Sequence, residues 1–379
     1  MKRVSKVLTA LVLGTVLAGL AAGCGGGEKK ADTIKVGANL EMTGGSASYG
    51  ISSKNAIELA FKEINEKGGI NGKQLELVVA DNKSEAAEAT NAMQKLVSQD
   101  NVVAVIGPNL SSSVIAASAI NNSAKVLDIA PMATNPYVTV DQASGKTKDF
   151  NYRTCFIDPF QGTVMAKFAT AELGVGNAAV LIDNSSDYAK GLAQFFKENF
   201  VKEGGAVTAE ESYLQKDTDF KATLTKIKAT NPDFLYVPGY YQEVGMNMPI
   251  AGGDGWDSAK MPEIAGAAAL NNTYFSSLYS PEDSSDINKN FVAAYEKAYG
   301  QKPDVFAALS YDSALLVAEA IKNAGSTEPA KISEAMAKIN GFSGVSGSVT
   351  FDDKHNPVKS AVILEYKDGA QSLKTKINP

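Results

Sequence analysis

Histidine is nearly missing from this chain. Of 379 residues one is a histidine, His355, and there are only two cysteines. His355 falls in DDKHNP, between two strand-like segments, and reads as a surface turn residue, not a general base. No HExxH, CxxC or GxSxG occurs, so the common signatures of zinc proteases, thiol oxidoreductases and serine hydrolases are absent. GVGNAAV contains a fragment of a dinucleotide loop, but Gly174 and Gly176 fit helix-end glycines better. The triple glycine at 25–27 lacks the Lys-Ser/Thr of a phosphate loop, and DNSSD lacks the glycine and closing glutamate of a calcium loop. The expectation is therefore no catalytic residue, no metal and no cofactor. Basic charge is also in short supply. The net charge is −6, which argues against nucleic acid as a partner.

Long apolar runs are absent after residue 23. Before it, Lys2, Arg3 and Lys6 precede the apolar stretch Val7–Ala22. Sixteen residues are short for a membrane span and suit the core of a signal peptide over 1–23. Its removal takes away three positive charges and no acid, moving the net charge from −6 to −9. LAAGC at its end resembles the bacterial lipobox, with Ala21 where leucine is preferred. The resemblance implies lipidation of Cys24 and attachment to the cell membrane, and the polar run GGGEKKAD that follows makes 24–31 a flexible tether. Cys155, in the apolar run YRTCFI, then has no disulfide partner and reads as a small core residue.

What remains is ordinary in bulk, with 44% hydrophobic and 21% charged residues, enough for two globular domains. From residue 33 strand-like and helix-like segments alternate. TIKVGANL, QLELVVAD, VVAVIGP and KVLDIAP are continuous apolar runs of the kind buried parallel strands show. Between the first two, Ile57, Ala60, Phe61 and Ile64 mark one face of a helix. A second alternation starts at YRTCFI, and three helical patterns cover about 286–338 before a short strand-rich end. The fold class expected is α/β, as two doubly wound parallel-sheet lobes.

Ligands in such sheets bind beyond the carboxyl ends of the strands. After VVAVIGP stand Ser111, Ser112 and Ser113, where a helix start offers free N–H groups to an anion, or a serine simply caps the helix. After KVLDIAP come Met132, Ala133 and Thr134. After NAAVLIDN comes Tyr188, after FLYVPG come Tyr240 and Tyr241, and Asp254 sits in the GDG turn after PIAGG. Each alone has a plain turn or surface reading. Together they supply anion donors, one fixed negative charge and aromatic walls, a set that suits a small zwitterion with an apolar side chain.

INEKGGINGKQLELVVAD, GPNLSSS, IAPMATNP, YRTCFIDPFQG, PGYYQEVG, GGDGWD and FAALSYD, in that order, resemble the branched-chain amino acid type of substrate-binding protein of bacterial ABC importers. The resemblance spans nearly all of 32–379. It implies the type I periplasmic-binding fold with three hinge crossings, near 153, 278 and 345. Lobe one would then be 32–153 plus 279–345, and lobe two 154–278 plus 346–379. It also implies the ligand contacts. Ser111 and the backbone around Ser112 would take the α-carboxylate with Thr134, the Met132 carbonyl and Asp254 the α-ammonium. Tyr49, Tyr188, Tyr240 and Phe306 would line the side-chain pocket. The implied partners are a small amino acid, an ABC permease with its ATPases, and the membrane through a lipid anchor. The protein would be a monomer outside the cytoplasm, on the outer face of the membrane or in the periplasm. A sensor serving a membrane receptor, or a binder of an amide or urea, are the alternatives.

One departure stands out. Relatives carry a helix between the segments matching YYQEVG and PIAGGDG. Here about ten residues separate the strands, a length that reaches about 33 Å extended but holds no full crossover helix. The expectation is that the two strands stay adjacent and parallel while one face of the sheet loses its cover, which the neighbouring helices or Met246 and Met248 must then shield.

Overall fold

The computed structural model describes residues 33–240 and 249–377. The expected signal peptide (1–23), the tether (24–31) with Cys24, and most of the short connector including Tyr241 lie outside the described residues.

The apolar runs of the first block form β1 (Ile34–Leu40), β2 (Leu75–Asp81), β3 (Ala104–Ile106), β4 (Leu127–Ala130) and β5 (Asn151–Arg153). They pair in the order β2-β1-β3-β4-β5, all parallel. The crossovers are α1 (Ala47–Glu66), α2 (Ala86–Ser98) and α3 (Ser111–Ala124). Ile57, Ala60 and Phe61 of α1 are buried, as their spacing requires.

The second block runs α4 (Asp158–Lys167), β6 (Asn177–Asp183), α5 (Asp187–Lys202), β7 (Ala206–Tyr213), α6 (Lys221–Ala229), β8 (Phe234–Val237), β9 (Ile250–Gly252), α7 (Lys260–Ala265) and β10 (Thr273–Ser277). The chain then returns to the first sheet with α8 (Asp286–Tyr299), α9 (Val305–Ala324) and α10 (Pro329–Met336); α9 packs on α1 and β3, and α10 on α9 and β4. A small ribbon of β11 (Phe342–Gly344) and β12 (Gly347–Val349) leads to β13 (Ala361–Lys367) and β14 (Ala370–Ile377). The chain thus passes between the sheets three times: after β5, after β10, and between α10 and β13.

The second sheet has the order β14-β13-β10-β9-β8-β6-β7. It is parallel from β10 to β7, but β13 and β14 are antiparallel, so this lobe is mixed at one edge instead of wholly parallel. β13 and β14 are joined by a tight two-residue hairpin, in which Asp368 and Gly369 both have positive φ (51° and 80°), and no crossover separates them.

β8 and β9 do lie side by side and parallel, with Leu235 opposite Ile250, Tyr236 opposite Ala251 and Val237 opposite Gly252. Neither strand is left bare: all seven residues are buried, in part under a neighbouring helix as expected, while Met246 and Met248 lie outside the described residues. Two different elements cover the two faces. On one, Phe196 of α5 stacks on Tyr236 at 4.1 Å and lies near Phe234. On the other, the fully buried indole of Trp256 fills the space a side chain at Gly252 would need. The single tryptophan takes over part of the work of a crossover helix.

His355 keeps its turn but is half-buried, its ring stacked on Tyr152 at 4.0 Å. Cys155 is buried, and burial pushes its thiol up to about 12, in keeping with a core residue.

Candidate functional site

The first half of the site is built at the carboxyl ends of β3 and β4. Glu41, buried beyond β1, accepts from the backbone N–H and side-chain amide of Asn109 at 3.1 and 2.9 Å, which fixes the loop entering α3. α3 starts at Ser111 with no side-chain cap, so the serine is the first residue of the helix and not its cap. Its hydroxyl accepts from the Asn135 N–H at 3.3 Å. The loop carrying Met132 to Thr134 is held by Arg153, which is fully buried. The guanidinium donates to the carbonyls of Ala133 and Asn135, both at 2.8 Å, and to the Thr139 hydroxyl at 3.2 Å. A buried arginine spends its donors on loop carbonyls here, and that rigidifies the strand-end loop.

The second half comes from β9, α4 and α5. Asp254 opens a 3-10 turn, Asp254–Trp256, just past β9. Its Oδ1 accepts from Gln161 Nε2 at 2.7 Å and from the Tyr188 hydroxyl at 2.8 Å. The fit is close enough that a side chain at Gly253 would collide with the Tyr188 hydroxyl. Burial raises the Asp254 pKa to about 6, while the bonds from Gln161 and Tyr188 pull it down. Asp254 is therefore an ionised, nearly dry carboxylate at neutral pH.

Four aromatic rings wall the space between the halves. Tyr49 of α1 stacks on Phe306 of α9 at 3.8 Å, Tyr188 on Tyr240 at 5.4 Å, and Tyr49 meets Tyr240 edge-on at 6.1 Å. Ser111, Met132 and Asp254 complete the lining together with Asn109, Leu110 and Gly255. The lobes are closed upon each other, with Tyr49 donating across the cleft to the Gly255 carbonyl. The remaining space would hold about one water molecule, so an amino acid enters only when the rings or the lobes separate.

Seven of the nine residues expected from the sequence therefore meet at one cavity. The other two do not line it. The Ser112 hydroxyl instead accepts from the Asp187 N–H of the opposite lobe at 3.1 Å. Thr134 is buried beside the Asp158 carboxyl. Sequence reasoning missed Asp158, Gln161 and Arg153. DPFQG after YRTCFI offered the only signal, an acid and an amide three residues apart at a helix start and so on one helix face.

Two parallel-sheet lobes with a charged, aromatic-walled cleft between their strand ends define a binding protein of the bilobed periplasmic class. The chain belongs to the periplasmic binding protein family, whose description "Periplasmic binding protein" matches residues 33–371. It is similar to Leu/Ile/Val-binding protein homolog 1 of Brucella suis biovar 1 (strain 1330), with 30% identity over 358 residues, covering 91% of this chain and 93% of the relative. Among solved structures it resembles the leucine binding protein LivK of Thermotoga maritima MSB8 (TM-score 0.86, 35% identity, 92% of this chain and 99% of that one). It also resembles the branched-chain amino acid transporter substrate binding protein LivJ of Streptococcus pneumoniae, solved with isoleucine (TM-score 0.85, 38% identity, 91% and 99%).

Proposed function

We propose that this protein is an extracytoplasmic lipoprotein that captures an amino acid between its lobes and delivers it to the permease of an ABC importer. The favoured ligands are branched-chain aliphatic amino acids. Cys24 would carry the lipid anchor. The lobes would divide at 32–153 plus 279–345 and 154–278 plus 346–379. The protein would act as a monomer and without catalysis.

One observation carries the reading. A buried carboxylate, Asp254, stands on one side of an aromatic cavity, and the uncapped start of α3 at Ser111 stands on the other. A helix start and a hydroxyl favour a carboxylate, and a desolvated acid favours an ammonium. An amino acid presents both charges on neighbouring atoms, so it ties the lobes together. The rings leave an apolar environment for the side chain. Leu/Ile/Val-binding relatives and a LivJ structure with isoleucine support the aliphatic class.

Calorimetry of the purified protein against the twenty amino acids and short amides tests the reading. Leucine, isoleucine or valine should bind most tightly, and Asp254→Asn should weaken that binding at least about tenfold, as expected for a buried charged contact. An amide or urea binding in place of every amino acid would refute it, as would an unchanged affinity in the variant.

A further inference from the structure

Gln161 is fully buried on α4 and, among the described residues, does not itself line the cavity but bonds to Asp254, which does. Its single amide nitrogen donates to Asp254 Oδ1 at 2.7 Å and to Ser276 Oγ of β10 at 2.9 Å. Tyr188 donates to the same Oδ1 at 2.8 Å and accepts from the Gly255 N–H at 3.3 Å. One carboxylate oxygen thus holds both side-chain donors; the backbone N–H groups of Asp254 and Gly255 also favour the charged carboxylate, and among the described residues Oδ2 receives no side-chain hydrogen bond. The carboxyl plane cannot turn without breaking both bonds at once. Gly253 allows no slack, because any side chain there would meet Tyr188, Leu192 and Gln161 together.

We propose that Gln161 is a positioning residue for ligand binding: by its own hydrogen bond to Oδ1, and not by its tie to β10, it aims Oδ2 of Asp254 at the ammonium of the ligand. This rests on the amino acid reading given above. The plainer role, a tie between α4 and β10, uses the same two bonds but predicts a different response. A tie contributes to stability whatever the ligand and whatever the charge of Asp254. A positioning residue acts through Asp254 alone, and it also keeps that carboxyl ionised to lower pH, since its bond opposes the effect of burial. The other titratable groups that feel the Asp254 charge are Asp158, Cys155, Tyr188 and Tyr236, of which Asp158 changes charge in the same pH range and is common to wild type and variants.

The test uses full-length protein and leucine, titrated by calorimetry between pH 5 and pH 8. Gln161→Met keeps the length and removes the donor. Its affinity at pH 7.5 should fall roughly tenfold. The pH below which binding is lost should move upward. Added to Asp254→Asn, Gln161→Met should cause little further loss. Ser276→Ala removes only the structural half of the bridge and should bind leucine as the wild type does. Gln161→Asn, too short to span both partners, answers the same question if the methionine variant does not fold. Additive losses with an unmoved pH profile would overturn the inference and leave Gln161 a structural tie. Wild-type protein that binds no amino acid would remove the functional reading itself, and this inference with it.

Discussion

Asp158 shows how the site differs from its sequence signature. It is the first residue of α4, wholly buried, with the Thr134 hydroxyl and the bare Gly191 backbone close by. Burial pushes its pKa to about 8 and the nearby Asp254 adds to the rise, while Thr134 and Arg153 oppose it. A folded value above the unfolded one means that folding favours the protonated acid. Its contribution to stability is present at pH 4 and is lost as pH rises toward 8. Asp158→Asn should therefore flatten the pH dependence of melting. It should melt a few degrees above the wild type at pH 8 and close to it at pH 5. Calorimetric melts across that range check this, and parallel profiles would contradict it. Asp254 was legible in the sequence because residues just past parallel strands are the ones a cleft uses. Asp158, Gln161 and Arg153 were not, because their roles depend on which loops and helices surround them, and hydropathy spacing does not record that.

At the scale of elements, the parallel strands were legible from their continuous apolar runs and the helices from their three-to-four spacing. The antiparallel edge was harder to see. β13 and β14 look like any short strands, and only the Asp368-Gly369 turn separates a hairpin from a crossover. The part that Trp256 plays in covering β8 and β9 was hidden for a related reason. Shielding was expected from the neighbouring helices or Met246 and Met248, whereas one large ring four residues past β9, Trp256, folds back onto Gly252. If that is its role, Trp256→Ala should cost about 3–5 kcal/mol in a urea titration, typical for emptying a large buried aromatic site. A loss under about 1 kcal/mol would show that another segment covers that face.

The whole molecule is closed by many small contacts. Asn135 donates to the Asp187 carbonyl at 2.8 Å, beside the Ser112 bond to the same residue. The Ser48 and Ser258 hydroxyls lie 3.1 Å apart across the cleft, and Asp257 accepts from the Val305 N–H at the start of α9 at 3.2 Å. Lys216 and Glu85 form an exposed ion pair at 2.8 Å, which contributes little in water. None of these involves the cavity floor, so they hold the lobes equally for any occupant. Selective closure must come from a ligand that contacts both lobes more strongly when they are shut. The most direct measurement is a crystal structure of the protein grown with leucine. The account predicts the ammonium within hydrogen-bonding distance of Asp254 Oδ2 and the carboxylate at the start of α3 beside Ser111, with the side chain among Tyr49, Tyr188, Tyr240 and Phe306. Leucine bound with its ammonium away from Asp254, or held by one lobe alone, would contradict it.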